Sequence, residues 1–489
     1  MLLKILLIEC GSLMNKKIED RYIIIIAALI QFTATFVNNM VSVILPDISM
    51  ELGLNIDMLN WMSLAFLIII ISISVPLGKV IAQQGVKKFT VVNLMLLIAG
   101  LMLSIISYDP FMLILSRIIQ GMGISALLIS IYMIVVNQIS EDRLGVALGI
   151  VGASGYMGMT AAPTIAGLIS LVSWRYVFFF SIPICILILL MFLKVDKEWI
   201  GESHPIDKLG SLIYIVAMVL FIVGLNDVDE TGIFMFVLSI VLFVVLLKIE
   251  NKKEYPLINL KLLKNFKLMV ADFAAFVSYF TTFISTYLVN FYLQIYLNFE
   301  PYMAGFILFT TPIVMVFVSP FSGRWADKYD SRMLSAIAMS ILFCVMIMLY
   351  HVDQLPFYMP IIILVLQGIG HAMFSPPNNR FALTTVEDED VSDATSILTT
   401  SKELGKTCSI AIFTVVFTLI MGNQVTIMDE IVDLVKTINI MMIISTVLIL
   451  ITIVLLLYSK YRYDEGYNLN ALNFIKSIER FIRNIRRVF

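Results

Sequence analysis

The sequence predicts an all-α integral membrane protein. Its expected form is two pseudo-symmetric six-helix bundles plus two linker helices, about fourteen spans in all. Three observations predict the layout: an apolar composition, an asymmetry of loop charge, and an internal repeat. Of 489 residues 60% are apolar and 14% charged, whereas a soluble domain carries about 25% charged residues. Mean hydropathy is +0.97. A soluble protein of any kind is excluded. The four cysteines, Cys10, Cys185, Cys344 and Cys408, are scattered. They imply neither a disulfide framework nor a metal site.

Apolar runs of about 20 residues read as membrane helices. They fall at roughly 22–45, 59–78, 89–107, 111–136, 144–169, 174–193, 209–226, 232–248, 268–291, 302–321, 333–350, 357–379, 396–420 and 437–458. The first 13 residues are too short to span, and Met14 is an equally natural start. With the N-terminus in the cytoplasm, the loops on the far side hold one base, Lys436, among acids such as Asp47, Glu51, Asp57, Asp109 and Asp229. The near-side loops hold Lys79, Lys87, Lys88, Lys194, Lys197 and the cluster from Lys248 to Lys267. This positive-inside pattern predicts a multi-pass cell-membrane protein with both termini cytoplasmic.

RIIQGMG at 117–123 is echoed by LVLQGIG at 364–370, an offset of 247. GKVIAQQGVKK at 78–88 is echoed by GRWADKYDSR at 323–332, an offset of 245. Two matches at nearly one offset divide the chain. Residues 1–21 precede the spans, 22–193 form one bundle, 209–248 a two-helix linker and 267–458 the second bundle. Such repeats are the architecture of secondary transporters, with the substrate site between the halves near the midplane. Residues 459–489 form a tail. Within it, 468–489 put Leu472, Ile475, Ile478, Phe481, Ile482 and Ile485 on one face, with Lys476, Arg480, Arg483, Arg486 and Arg487 largely elsewhere. That pattern fits a helix on an anionic leaflet, or a solvated tail.

Arg117 stands inside an apolar run. A lone arginine at the bilayer centre costs about 2.5–3.5 kcal/mol, so it needs a partner or a wet cavity. Gln120 and Gly121 follow on the same helix face. The fifth run, GIVGASGYMGMTAAPTIAGLIS from Gly149, spaces Ser154, Gly158, Ala162 and Ala166 four apart, a track for close helix contact. Pro163 removes a hydrogen bond to Met159 and is expected to kink the helix.

Together these stretches resemble the major facilitator superfamily, in particular its fourteen-span drug:proton antiporter branch. The resemblance covers nearly the whole chain. LILSRIIQGMG is similar to the fourth-span motif, which implies a part in proton coupling for Arg117. Gly149, Gly158, Pro163 and Gly167 match the antiporter motif, with Ala162 and Ala166 replacing two glycines. SWRYVFFFSIPI at 173–184 resembles the branch's sixth-span signature. GRWADKYDSR resembles the loop motif of the cytoplasmic gate, which assigns Gly323, Arg324, Asp327 and Arg332 to that gate, with Gly78 from the first copy. That copy has Ala82 where an acid is usual and Val86 where a base is usual, so its charge network is expected to be weaker. Val37 stands where the first span usually carries an acid, which unsettles a preference for cationic drugs.

By the family's arrangement spans 1, 4, 9 and 12 line the cavity. Its titratable candidates are Asp272, which is equally read as a helix cap, and His371, equally read as a neutral histidine bonded across helices. Candidate substrate contacts are Asn38, Asn39, Gln120, Tyr132, Tyr279, Gln294, Asn378 and Asn379, with Gln31 and Asn290 beside them. The expected activity is proton-coupled efflux of an amphipathic small molecule. An exporter of an endogenous metabolite (amino acid, peptide or siderophore) and a non-transporting membrane sensor stay open. The expected partners are the substrate, protons and a bilayer with an anionic cytoplasmic leaflet, with no nucleic acid and no obligate protein partner. No zinc-ligand spacing, nucleophile elbow or phosphate loop occurs, so neither an enzyme nor a cofactor nor a metal is expected.

Overall fold

The computed structural model describes residues 2–54, 56–200, 205–227, 229–351, 358–421 and 431–464. The predicted amphipathic helix at 468–489 lies outside them. The first half comprises α1 (Leu2–Leu52), α2 (Ile56–Gln84), α3 (Val86–Ile105), α4 (Pro110–Gln138), α5 (Glu141–Ser170) and α6 (Trp174–Leu193). Then come the linker helices α7 (Lys208–Asn226) and α8 (Glu230–Glu250) and the short α9 (Leu260–Lys264). The second half comprises α10 (Phe266–Phe291), α11 (Pro301–Leu308), α12 (Thr310–Lys328), α13 (Ser331–Tyr350), α14 (Met359–Leu383), α15 (Val391–Met421) and α16 (Ile431–Asp464). Among the described residues fourteen helices are long and apolar enough to cross a membrane, α11 and α12 together counting as one. The loops at one end hold almost all the loop lysines, although 387–390 there are acidic, and those at the other end hold acids and almost no base; these are called the basic end and the acidic end.

The helices stop where the chain tells them to. Asp109 caps α4 by accepting from the Met112 N–H (2.9 Å), with Pro110 in the first turn. Asp207 and Asp229 cap α7 and α8 through Gly210 and Gly232. At the acidic end the 173–184 signature staples three helices. Trp174 Nε1 and Arg175 Nη1 donate to the two oxygens of Glu51 (2.6 and 2.5 Å), and Arg175 also reaches the Ser107 carbonyl (2.9 Å).

The repeat is visible in the packing. In the first half α1 packs on α5, α2 and α3 on α4, and α3 on α6; in the second, α10 packs on α15, α12 and α13 on α14, and α13 on α16. The repeated glycines do the same work in both. A Cβ on Gly121 would lie 2.9 Å from the Phe66 carbonyl, and one on Gly368 would lie 2.7 Å from that of Thr311. Helix contact, rather than substrate approach, therefore explains the bare surface beside Arg117. The small-residue track of α5 lies against α1, where a Cβ on Gly158 would fall 2.4 Å from the Phe32 carbonyl. α5 runs on as one helix through Pro163.

The halves join along two seams, α5 with α12 and α2 with α15, again equivalent under the repeat. The linker covers the second seam. Tyr214, Met218 and Ile222 of α7 bury against Ile68, Ile71 and Val75 of α2, an apolar contact that removes this edge from lipid. Asn259 beside α9 donates to Asp390 (3.1 Å) and Asn265 to the Thr385 carbonyl (3.3 Å), so the linker is also tied to the second half. A cavity of about 820 Å³ at the basic end lies between linker and bundles, lined by charged groups including Glu198, Asp207, Lys253 and Lys261.

Candidate functional site

Each seam is fastened at the basic end by backbone contact and a charge. On the α5–α12 seam, Cβ atoms placed on Gly145 and Gly323 would lie 2.4 and 2.2 Å from each other's carbonyl oxygens. No residue but glycine allows that crossing. Asp327 then reaches the second turn of α5, accepting from the N–H groups of Gly145 (2.6 Å) and Val146 (2.9 Å) near the start of the helix. Arg380 of α14 stands 3.5 Å from Asp327 and donates to the Glu141 carbonyl (3.2 Å). Ser319 donates to the Gly149 carbonyl (2.9 Å).

The α2–α15 seam is its counterpart with the charges exchanged. Ser392 and Ser396 stand 247 residues after Gly145 and Gly149. Ser392 donates to the Gly78 carbonyl (2.7 Å), and a Cβ on Gly78 would meet the Ser396 hydroxyl. Ala82, where the acid is missing, is answered by Asp393 in the first turn of α15, which pairs with Lys79 at 2.6 Å. The charge that was expected to be weak here is therefore supplied by the facing helix. Ser74 and Thr400 continue the seam at 2.6 Å. Of the predicted gate residues, Gly78, Gly323 and Asp327 meet between the halves. Arg324 is exposed and lies over Phe321 of its own helix (5.7 Å). Arg332 pairs with Asp330 (2.7 Å) at the start of α13. Burial raises the Asp330 carboxyl, but the hydrogen bond and charge of Arg332 outweigh it and hold the group below its usual range.

Beyond these seams, toward mid-depth, lies a polar layer built by both halves. His371 (2% exposed) sits with Nδ1 3.1 Å from the Ser278 hydroxyl and 3.0 Å from that of Thr282, both on α10. Its ring is edge-on to Tyr279 (4.7 Å between centroids) and to Tyr156 of α5 (6.0 Å). The cross-helix histidine is thus the arrangement found. Asp272 (3% exposed) has neither carboxylate oxygen hydrogen-bonded. It does not cap its helix. Asn265 does, accepting from the N–H groups of Lys267 and Leu268, and Asp272 stands almost two turns further in.

The cations of this layer come from α15 and were missed from the sequence. Lys402 (6% exposed) donates to the Tyr132 hydroxyl of α4 (3.3 Å) and lies 4.6 Å from the centre of its ring. Lys406, one turn on, pairs with Glu403 (2.5 Å) and lies over Tyr279 and Phe283 (5.3 and 5.5 Å). Asp272 is near enough to Lys402 for their charges to interact. The signal was present: two lysines and a glutamate inside a span are functional candidates by default.

Other predicted contacts scatter. Asn379 stands beside the Tyr132 hydroxyl, in the layer. Asn378 spends its amide on the Ala271 carbonyl (2.9 Å), binding α14 to α10. Asn39 donates to Thr35 of its own helix (2.7 Å), Gln294 to Asn290 (2.7 Å), and Asn38 is half-buried on α1. Arg117 (1% exposed) is enclosed within the first half, donating to Gln120 (2.7 Å), with its guanidinium 4.0 Å from the centre of the Phe66 ring. Gln120 passes the bond on to the Gly100 carbonyl (3.1 Å) and the Ser104 hydroxyl (2.8 Å) of α3. No described carboxylate lies within 4 Å of Arg117. A desolvated cation–π contact gives about 2 kcal/mol and a charged hydrogen bond about 1.5–3 kcal/mol. The two are of the same order as the insertion cost, and Nε is left without a partner.

The model for "Major Facilitator Superfamily" matches residues 27–406 and 271–477. The chain belongs to the major facilitator superfamily. It is 26% identical over 400 residues to the riboflavin transporter RibZ of Clostridioides difficile, covering 81% of this chain and 88% of RibZ. It is 23% identical to multidrug resistance protein 3 of Bacillus subtilis (79% and 77% covered) and 24% identical to the lincomycin resistance protein LmrB of Listeria monocytogenes (80% and 85%). Among solved structures, human MFSD10, an organic anion transporter, superposes with TM-score 0.67 at 12% identity (89% and 99% covered). The proton:xylose symporter XylE gives 0.62 at 14% (91% and 95%). These two show the shared fold. As a family member the chain is a secondary transporter of a small molecule, not an enzyme.

Two outcomes follow from the geometry. Lys79→Ala or Asp393→Ala should each weaken the α2–α15 seam by about 1–2 kcal/mol, and the exchange Lys79→Asp with Asp393→Lys should recover most of it. Cysteine accessibility along α2 at the basic end reads this, and no recovery in the exchange would remove the pairing. Arg117→Ala should lower the yield of folded protein on size-exclusion chromatography, because Gln120 loses its donor and Phe66 its cation; Arg117→Lys should retain part of it.

Proposed function

We propose that this protein is a proton-coupled exporter of amphipathic small molecules working by alternating access, with both termini cytoplasmic. The observation that carries the reading is the polar layer, in which Asp272, His371, Lys402 and Tyr156 come from both halves and converge beyond two closed seams. A group whose protonation is to follow the transport cycle needs an environment that changes as the halves rock. Asp272, buried with two unpartnered oxygens beside the inter-half contact Lys402–Tyr132, is the proton carrier in this reading. Arg117 acts indirectly, by fixing α2, α3 and α4 to one another. The similarity to two drug-resistance proteins supports efflux. The similarity to a riboflavin transporter favours a second reading, in which the substrate is a metabolite with a ring system.

The loop charges support an orientation with the basic end in the cytoplasm. A cysteine replacing Asp229 should then label from outside intact cells, and one replacing Lys253 should not; the reverse would invert the topology. A susceptibility panel in an efflux-deficient host, with and without the protein, identifies a transported compound. With that compound in proteoliposomes, Asp272→Asn should abolish gradient-driven accumulation and leave downhill exchange. Full accumulation by Asp272→Asn would end the proton-carrier assignment.

A further inference from the structure

The lysines of α15 stand beside the proton carrier of the transport reading, which gives them no ligand. A buried ammonium is costly unless an anion or several hydrogen bonds accompany it. Lys402 has neither. Its one hydrogen bond is the long one to a neutral phenol, and no carboxylate of the described residues lies within 4 Å. Lys406 stands four residues on, on the same helix face. Its side chain is 17% exposed, and its ammonium is held by Glu403. That face carries two cations and one acid. Asp272 of α10 adds its field from a distance but makes no contact. Around the lysines the walls are aromatic. Tyr132 lies under Lys402, Tyr279 and Phe283 lie under Lys406, and the half-buried Tyr156 faces them from the other half across His371.

We propose that Lys402, with Lys406 beside it, receives the anionic group of the substrate, and that the substrate is an aromatic anion whose rings lie against Tyr156, Tyr279 and Phe283. This names the substrate class for the site of the exporter reading and rests on it. A carboxylate, sulfonate or phosphate on Lys402 would supply the missing counter-charge. It would also bridge α15 of one half to Tyr132 of the other, so binding is sensed by both halves. A permanent cation beside Lys402 would meet two ammoniums, only partly offset by Glu403, already paired with Lys406, and by the more distant Asp272, which disfavours it at that position. The absence of an acid at Val37 of α1 agrees with this, since nothing there would attract a cation.

The test uses full-length protein in nanodiscs and two probes that share one ring system, naphthalene-2-sulfonate and the naphthalen-2-yl trimethylammonium cation. Wild type should bind the sulfonate about tenfold or more tightly than the ammonium, the size expected of one charge-assisted contact. Lys402→Gln should reduce sulfonate affinity by about the same factor, and Lys402→Arg, which keeps the charge, should retain most of it. Melting curves of each variant show that it is folded. A preference of wild type for the cation, binding of neither probe, or undiminished sulfonate binding by Lys402→Gln would overturn the anion site. Gradient-driven flux of the compound found in the susceptibility panel, measured with the same preparations, reports separately on the exporter reading. That reading survives loss of the anion site.

Discussion

The crossing of α5 and α12 at Gly145 and Gly323 is the contact on which the arrangement depends. Two backbones approach with no side chain between them, and only then can Asp327 reach the N–H groups of Gly145 and Val146 in the second turn of the facing helix. The carboxylate is bound by peptide dipoles rather than by a base alone, which keeps the attachment short and directional. Because α12 also packs on α14, and α5 on α1, the crossing sets the height at which Tyr156 meets His371. The polar layer is assembled from the basic end upward.

Pseudo-symmetry explains why the second seam can depart so far from the first. The fold needs a close crossing and a compensated charge at each seam; which helix carries the charge is free. At α2–α15 the base sits on the loop helix as Lys79 and the acid on the facing helix as Asp393. Serines stand where glycines stand in the other seam, and the Ser392 side chain donates across it where Gly145 has only its backbone N–H to give. This seam also carries the linker, whose apolar face covers α2. α7 thus packs on both helices of this seam, whereas among the described residues no linker helix packs extensively on α5 or α12.

Buried charge in the two halves is handled in opposite ways. The first half stabilises Arg117 with a ring and an amide, and shuts it away from the layer. The second half carries Asp272, Lys402, Glu403 and Lys406 in the layer itself, and only Glu403 and Lys406 are joined by an ion pair. In a low-dielectric interior incomplete pairing leaves strong fields. Such fields are where a proton or a charged ligand changes the balance between states.

Fold class, number of spans and two-fold repetition could all be read from the chain, because each rests on something local and additive. A bilayer demands about 20 apolar residues per span whatever the packing, and a duplicated motif keeps its spacing in any conformation. Gly78, Gly323 and Asp327 were singled out through the repeated loop motif and its resemblance to a known family; that they meet between the halves is seen only in the structure. The partners of a buried polar group were decided by tertiary structure alone. Whether Arg117 faces an acid or a phenylalanine, whether Asn378 lines a cavity or ties α14 to α10, and whether the missing acid at Ala82 is replaced by Asp393 all depend on helix rotation and register between segments hundreds of residues apart. Asp272 read as a cap only while the start of its helix was uncertain by a few residues. Lys402, Glu403 and Lys406 were visible as charges in a span, but only the packing of α15 against α4 and α10 turned them into one site, because the distance between charges on different helices is a property of the fold and not of the sequence.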